Sequence, residues 1–357
     1  MSKNPTIRDI AEALGLHFTT VGKALNNDPR ISEATRDRVR KQAEEMGYSP
    51  NPLVSALMAH KKSTAVSESL TVIAVLVESR TVFRFKAVER TRESLEARAK
   101  ELGFRIEYFP LDEYDRNLGA ICRVLRARGI PSLLLMSVAA DNVGDLDLLR
   151  DFCCVSVQEH YGALPSVLVD HFQSTELLCR RIHEAGYQRP GLLITPSLDR
   201  MGMDRVIAAF RSFSIELFGR TDAPILYENE ADEAHLEAWL SENRPDILIE
   251  SWRGLRNPEL RPTDPDVRRW LERFRPELLE GKRFSPERIQ HILAPYPYVV
   301  LDRIEENEAG ISQNRRLAAR KAVDVLTASL YRNERGLPPV GHRVMVEGSW
   351  AGELPKA

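Results

Sequence analysis

The chain has 357 residues, enough for two or three domains, and its 43% hydrophobic and 29% charged residues are ordinary for a globular protein. No run approaches the roughly 18 apolar residues that a membrane span needs, and the N-terminus lacks the apolar core of a secretory signal. Net charge is −2 overall, yet residues 1–62 hold 10 Lys/Arg against 7 Asp/Glu, so a weakly basic head precedes an acidic body. That excess is too small to establish a polyanion partner, and the residue pattern has to carry the reading.

Thr6 with Asp9 reads as a helix start, with the acid at the positive end of the helix dipole. Ile7, Ile10, Ala11 and Leu14 then give one apolar face, and Gly15 stops the helix. A second short helix is predicted over 18–25, with Val21, Ala24 and Leu25 inward and Phe18, Thr19, Thr20, Gly22, Lys23 and Asn26 outward. Two short helices joined by a Gly-containing turn form a helix-turn-helix, whose second helix enters the major groove of DNA. A turn at 27–30 leads to a third helix, capped by Ser32, with Val39, Ala43 and Met46 inward and Gly47 as its stop. A small helical cap of another kind would show the same stripes.

After Tyr48 the chain reads S-P-N-P-L-V-S-A-L-M-A-H-K-K. Asn51 is a good N-cap and Pro52 suits a first helical turn, so residues 52–59 are expected to form about two turns. So short a helix is marginal alone in water and needs a partner to order it.

The motifs T-I-x-D-I-A-x-x-L-G, T-T-V-x-K-A-L-N, I-S-x-x-T-R-x-R-V and A-x-x-x-G-Y-x-P-N resemble the LacI/GalR family of bacterial transcription regulators over about residues 5–58. The resemblance implies base reading by Phe18, Thr19 and Lys23. Phe18 suits a thymine methyl, and Lys23 suits guanine. Thr6, Thr20 and Asn26 are expected on phosphates, which position without specifying. It further implies a hinge helix in the minor groove, started by Asn51, with Leu57 wedged into a base step. Ser55 stands where the family often has Arg. Gly22 replaces the usual Ser, Lys23 the usual Arg and His17 the usual Ser. His17 either contacts phosphate or lies exposed.

The body begins after a polar linker at 63–69. Apolar strands are expected at 70–77, 104–109, 132–138, 153–157, 166–170, 191–195, 224–227, 246–250 and 298–302, and a closing strand over 343–350. Helices are expected over 86–102 and near 115–128, 173–185, 203–217, 232–242 and 314–332. This alternation predicts parallel, doubly wound sheets.

The resemblance implies a small all-α helix-turn-helix domain and hinge helix, then an α/β periplasmic-binding-protein-like body of two Rossmann-like subdomains. The expected divisions are 1–48 for DNA binding, 49–69 for hinge and linker, and 70–357 for effector binding and dimerisation. Within the last, the first subdomain takes about 70–163 and 311–334, and the second about 164–310 and 335–357. The Pro/Arg-rich stretch 254–290 departs from the family and reads as a surface insertion.

Parallel sheets bind ligands beyond their strand C-termini. That places candidate effector residues at Asp170, at Arg200 or Arg205, and at Trp252, Asp302 and Gln313. Asp170 also reads as a plain helix cap. The four cysteines, Cys122, Cys153, Cys154 and Cys179, lack C-x-x-C spacing and read as buried free thiols in a cytoplasmic protein.

The chain has no P-loop, G-x-S-x-G, G-x-G-x-x-G or metal-spaced His/Cys cluster, so no enzyme, cofactor or metal is expected. The leading expectation is a cytoplasmic, nucleoid-associated homodimeric regulator of double-stranded operator DNA, more often a repressor, with a sugar-like effector. The competing one is a solute-binding protein of the sugar-transport type.

Overall fold

The computed structural model describes residues 7–25, 30–46, 71–138, 143–194, 204–227, 232–251, 272, 286–303 and 308–355. Three helices form the head: α1 (Ile7–Leu14), α2 (Phe18–Leu25) and α3 (Glu33–Glu45). Gly15 takes a left-handed φ of 66°, which ends α1 and turns the chain toward α2. The Ser32 hydroxyl accepts from the backbone N–H of Thr35 and starts α3. Ile10, Ala11, Val21, Ala24, Val39 and Ala43 form one buried cluster shared by the three helices.

Among the described residues the body holds two six-stranded sheets. In chain order its elements are β1 (Thr71–Val77), α4 (Lys86–Glu101), β2 (Phe104–Pro110), α5 (Leu118–Ala127), β3 (Ser132–Met136), β4 (Cys153–Val157), β5 (Ser166–Asp170) and α6 (His171–Glu184). There follow β6 (Pro190–Ile194), α7 (Asp204–Phe218), β7 (Ile225–Tyr227), α8 (Glu233–Asn243), β8 (Ile247–Glu250), α9 (Pro286–Leu293) and β9 (Tyr298–Val300). The last are β10 (Gly310–Ser312), α10 (Arg315–Arg332), β11 (Arg343–Glu347) and β12 (Ser349–Ala351). The first sheet has the order β11-β5-β4-β3-β1-β2 with every pair parallel. The second has the order β12-β10-β9-β8-β6-β7, and among the described strands β12 alone runs antiparallel to its neighbour.

The continuous apolar runs are explained by burial of both faces. Ile73, Val75 and Val77 of β1 pack with Leu95 and Ala99 of α4 and with Ala318, Ala322 and Leu326 of α10. Ala74 and Leu76 point the other way, into Ile121, Cys122 and Leu125 of α5. The second sheet repeats the arrangement, with α6 and α7 on one face and α8 and α9 on the other. Across α4 and α10, Arg320 donates twice to Glu101 (2.9 and 2.8 Å) and Arg98 donates to Asp324 (2.6 Å). The arginine hydrogen bonds hold the Glu101 carboxyl down at about 2. All four cysteines are buried and free, and burial raises the Cys179 thiol to about 12.

Three features depart from the sequence expectation. The helix expected from 115 starts at Leu118, because Leu111–Tyr114 form a 3₁₀ turn and Asn117 supplies the cap of α5. Residues 166–170 and 343–347, read as parts of the second subdomain, hydrogen-bond within the first sheet. The single closing strand over 343–350 is two strands in different sheets, divided at Gly348. A Cβ on Gly348 would lie 2.5 Å from the Ser174 Oγ and 2.6 Å from Cγ2 of Ile311, so only glycine passes there without displacement. The chain therefore crosses between the sheets after β5, after β10 and at Gly348.

Candidate nucleic-acid interface and inter-sheet cleft

In α2 the buried residues are Val21 and Ala24, which turns Phe18, Thr19 and Lys23 to the exposed side of the helix. Phe18 is 46% exposed, although a large aromatic side chain has reason to be covered. The Arg8 guanidinium lies 5.9 Å from the Phe18 ring centroid and the His17 ring 4.4 Å from it. Thr20 is half-buried.

His17 does more than lie exposed. Its Nδ1 sits 2.8 Å from the Thr19 hydroxyl and accepts from the Thr19 backbone N–H at 3.4 Å. The imidazole thus caps α2 in place of a serine hydroxyl, and only Nε2 is left for a ligand. Gly22 has no strained backbone, and nothing lies within 4 Å of the place where its Cβ would be. Its presence is therefore not a packing requirement. Thr6, Asn26, Asn51, Ser55 and Leu57 lie outside the described residues.

The second site lies where strand C-termini of the two sheets meet. Beyond β4, Gln158 adopts φ 66°, and beyond β9 comes Asp302. Arg315, the first residue of α10, joins them. It donates to the Asp302 carboxylate at 2.5 and 3.4 Å and to the Gln158 Oε1 at 3.0 Å. Gln158 in turn donates to Thr91 of α4 at 3.3 Å. Both carboxylate oxygens of Asp302 thus already have an internal donor. Gln313 also has internal partners, since Ser174 donates to its Oε1 (3.2 Å) and its amide donates to the Leu301 carbonyl. Asp170 accepts from the Gln173 N–H at 3.1 Å, the helix-cap alternative. At the end of β1 the buried Glu78 pairs with Arg116.

Of the two arginine candidates, Arg205 is described, and it reaches across to the first sheet. Its Nη1 lies 3.9 Å from the Met345 sulfur on β11. Arg200 and Trp252 lie outside the described residues. Two imidazoles stand nearby. Burial first, then Arg315, lowers His171 to about 4, with Arg205 acting in the same direction and Asp302 and Asp170 opposing. His160 is lowered by burial, Arg343 and Arg205.

The structure thus places Asp170, Arg205 and Asp302 around His171 and Gln313 beside Ser174 and Leu301, and adds Gln158, His160, Arg315, Arg343 and Met345 to this region between the sheets. For Arg315 the sequence held a signal, its place directly after the I-S-Q-N segment where the chain changes sheets. For His160, Arg343 and Met345 it held none. Among the described residues no cluster of three or more His, Cys, Asp or Glu is placed to hold a metal, and no helix is long and apolar enough to cross a membrane.

A helix-turn-helix head on a periplasmic-binding-protein-like body of two parallel-rich sheets is the class that fold and sites define. The family described as "Bacterial regulatory proteins, lacI family" matches residues 6–51. The HTH-type transcriptional regulator DegA of Bacillus subtilis is 36% identical over 101 residues, which cover 28% of this chain and 27% of that protein. Two solved structures share the whole fold. The transcriptional regulator CelR in its cellobiose complex has a TM-score of 0.51 at 17% identity, covering 97% of this chain and 98% of that one. The lac repressor dimer bound to operator and the anti-inducer ONPF has a TM-score of 0.51 at 18% identity, covering 98% of each. The likeness to the lacI family thus runs over residues 6–51, and the likeness to the solved structures is one of fold. The match to DegA spans just over a quarter of that relative's length.

Proposed function

We propose that the chain is a sequence-specific DNA-binding transcription regulator, acting as a homodimer in the cytoplasm and more often in repression than in activation. The observation that carries this reading is the exposed face of α2. Phe18, Thr19 and Lys23 project from a short helix whose other face is fixed by a buried three-helix core. On this reading those three side chains address base edges, Thr6, His17, Thr20 and Asn26 address phosphates, and Asn51, Ser55 and Leu57 belong to a hinge in the minor groove. The head ends near residue 48 and the hinge and linker near 69. We place the subdomain crossings after 170, after 312 and at 348, where strands change sheets.

The cleft takes a small effector of carbohydrate type, and the operator-bound and cellobiose-bound relatives support both halves of the reading. An effector shifts the DNA affinity only by binding the two body arrangements unequally. No catalytic role is assigned to any residue. The test is selection of genomic fragments by the purified full-length protein. Enrichment of a two-fold symmetric sequence is the expected result, and binding without sequence preference would sink the reading.

A further inference from the structure

Most charges at the strand ends around the cleft are matched within the protein. Glu78 pairs with Arg116, Arg80 with Glu113 and Asp302 with Arg315, while Asp170 caps α6. Arg205 and Arg343 are two cations there that no carboxylate among the described residues reaches. Arg205 offers an N–H to a thioether, which is a weak acceptor. Arg343 donates to the His160 Nε2 at 2.7 Å, which uses that imidazole in its neutral form.

The two guanidiniums come from opposite halves. Arg205 lies in the first turn of α7, beside the second sheet, and Arg343 opens β11, the edge strand of the first. Residues 343 and 345 lie on the same face of that strand. Arg205 touches Met345, and His160 touches Arg343, so all four side chains gather on one face of β11. Arg205 is half-buried and Arg343 is exposed. A half-buried cation without a counter-charge is unfavourable, and guanidinium groups are shaped to hold carboxylate or phosphate by paired hydrogen bonds.

We infer that the effector carries an anionic oxygen group, a carboxylate or a phosphate, held between Arg205 and Arg343 across the cleft. The inference rests on the regulator reading above. The neutral imidazoles of His160 and His171 add N–H donors beside the anion without adding charge. Without ligand the two like charges, one from each half, favour separation, and only weakly because Arg343 is exposed and screened by solvent. An anion between them reverses that preference, so ligand charge is tied directly to the arrangement of the body.

The experiment is calorimetric titration of the full-length protein with glucose, glucuronate, gluconate, glucose 6-phosphate and inorganic phosphate. Wild type, Arg205→Gln, Arg343→Gln and Arg205→Lys are compared, with Arg180→Gln, whose partners are Glu176 and Glu216, as control. At least one anionic probe is expected to bind saturably, and the carboxylate and phosphate arms tell which group it is. Its Kd should rise at least tenfold in both Gln variants, recover in part with Arg205→Lys, and stay within twofold in the control. Unfolding midpoints equal to wild type exclude misfolding as the cause of any loss. Binding of glucose with equal strength to wild type and variants would overturn the inference. So would anion binding that ignores both substitutions, or no saturable anion binding while operator affinity stays intact. The last outcome leaves the regulator reading standing, because that reading fails only if operator binding fails.

Discussion

The head and the body are held together by opposite means. The head's six buried residues all lie within 34 positions of one another, Ile10 to Ala43, and its helices are started and stopped by neighbouring groups. The body pairs Arg343 with Ser166 and Arg98 with Asp324 across long stretches of chain. Local contacts close quickly at little loop-entropy cost, whereas distant ones require most of the body to be in place. The head should therefore fold and fail independently, and the body should respond as a unit.

Ile10→Ala should separate the two most sharply. Ile10 is fully buried in a small core, so the head loses about 3 kcal/mol. Calorimetry should show DNA binding abolished while the main unfolding transition stays in place. A downward shift of that transition would mean that the head supports the body. Lys23→Ala should leave both folds intact and cost about 2 kcal/mol of discrimination at one base position. An equal loss on every sequence would mark Lys23 as a phosphate contact instead.

In the body, Arg315→Gln removes the link between Asp302 and Gln158 and leaves a nearly buried carboxylate short of its charge partner. About 2 kcal/mol should be lost from the main transition, with the head unaffected. His171 makes the body sensitive to acid. Its folded value of about 4 lies below the ordinary imidazole value, so the unfolded chain binds more protons between the two. Its contribution is complete above about pH 6.5 and is lost as pH falls toward 4. Wild type should lose about 2 kcal/mol more than His171→Gln between pH 7 and 4.5 in denaturant titrations, and parallel curves would remove the role.

The smallest effect belongs to the head. Gly22→Ala meets no neighbour and should stabilise α2 by about 1 kcal/mol, read from hydrogen exchange of its amides. A loss of stability would show that the glycine serves a contact in α2.

The same contrast explains what can be read from the sequence. The head is legible almost residue by residue, because Gly15, Ser32 and the spacing of Ile10, Val21 and Val39 act within a turn or two of themselves. The strands of the body are legible as strands for the same reason. Their partners are not. An apolar run such as SVLVD is buried on both faces in either sheet, so its composition does not say that β5 joins β4 and β11. Gly348 reads as one small residue inside a strand, and only the close approach of Ser174 and Ile311 shows why the strand divides there. In the cleft, Asp302 and Gln313 are legible from their places at strand ends. That Arg315 occupies Asp302, and that Arg205 faces a thioether, depends on which side chains meet from distant parts of the chain.

The crossing at Gly348 also sets an order for synthesis. The segment 343–351 gives a strand to each sheet, so neither sheet has its full set of strands until that segment has left the ribosome. The head's last core residue, Ala43, emerges roughly 300 residues earlier, and domains generally fold as units during synthesis. Each nascent chain thus carries a folded three-helix head through most of its translation before the body behind it can close.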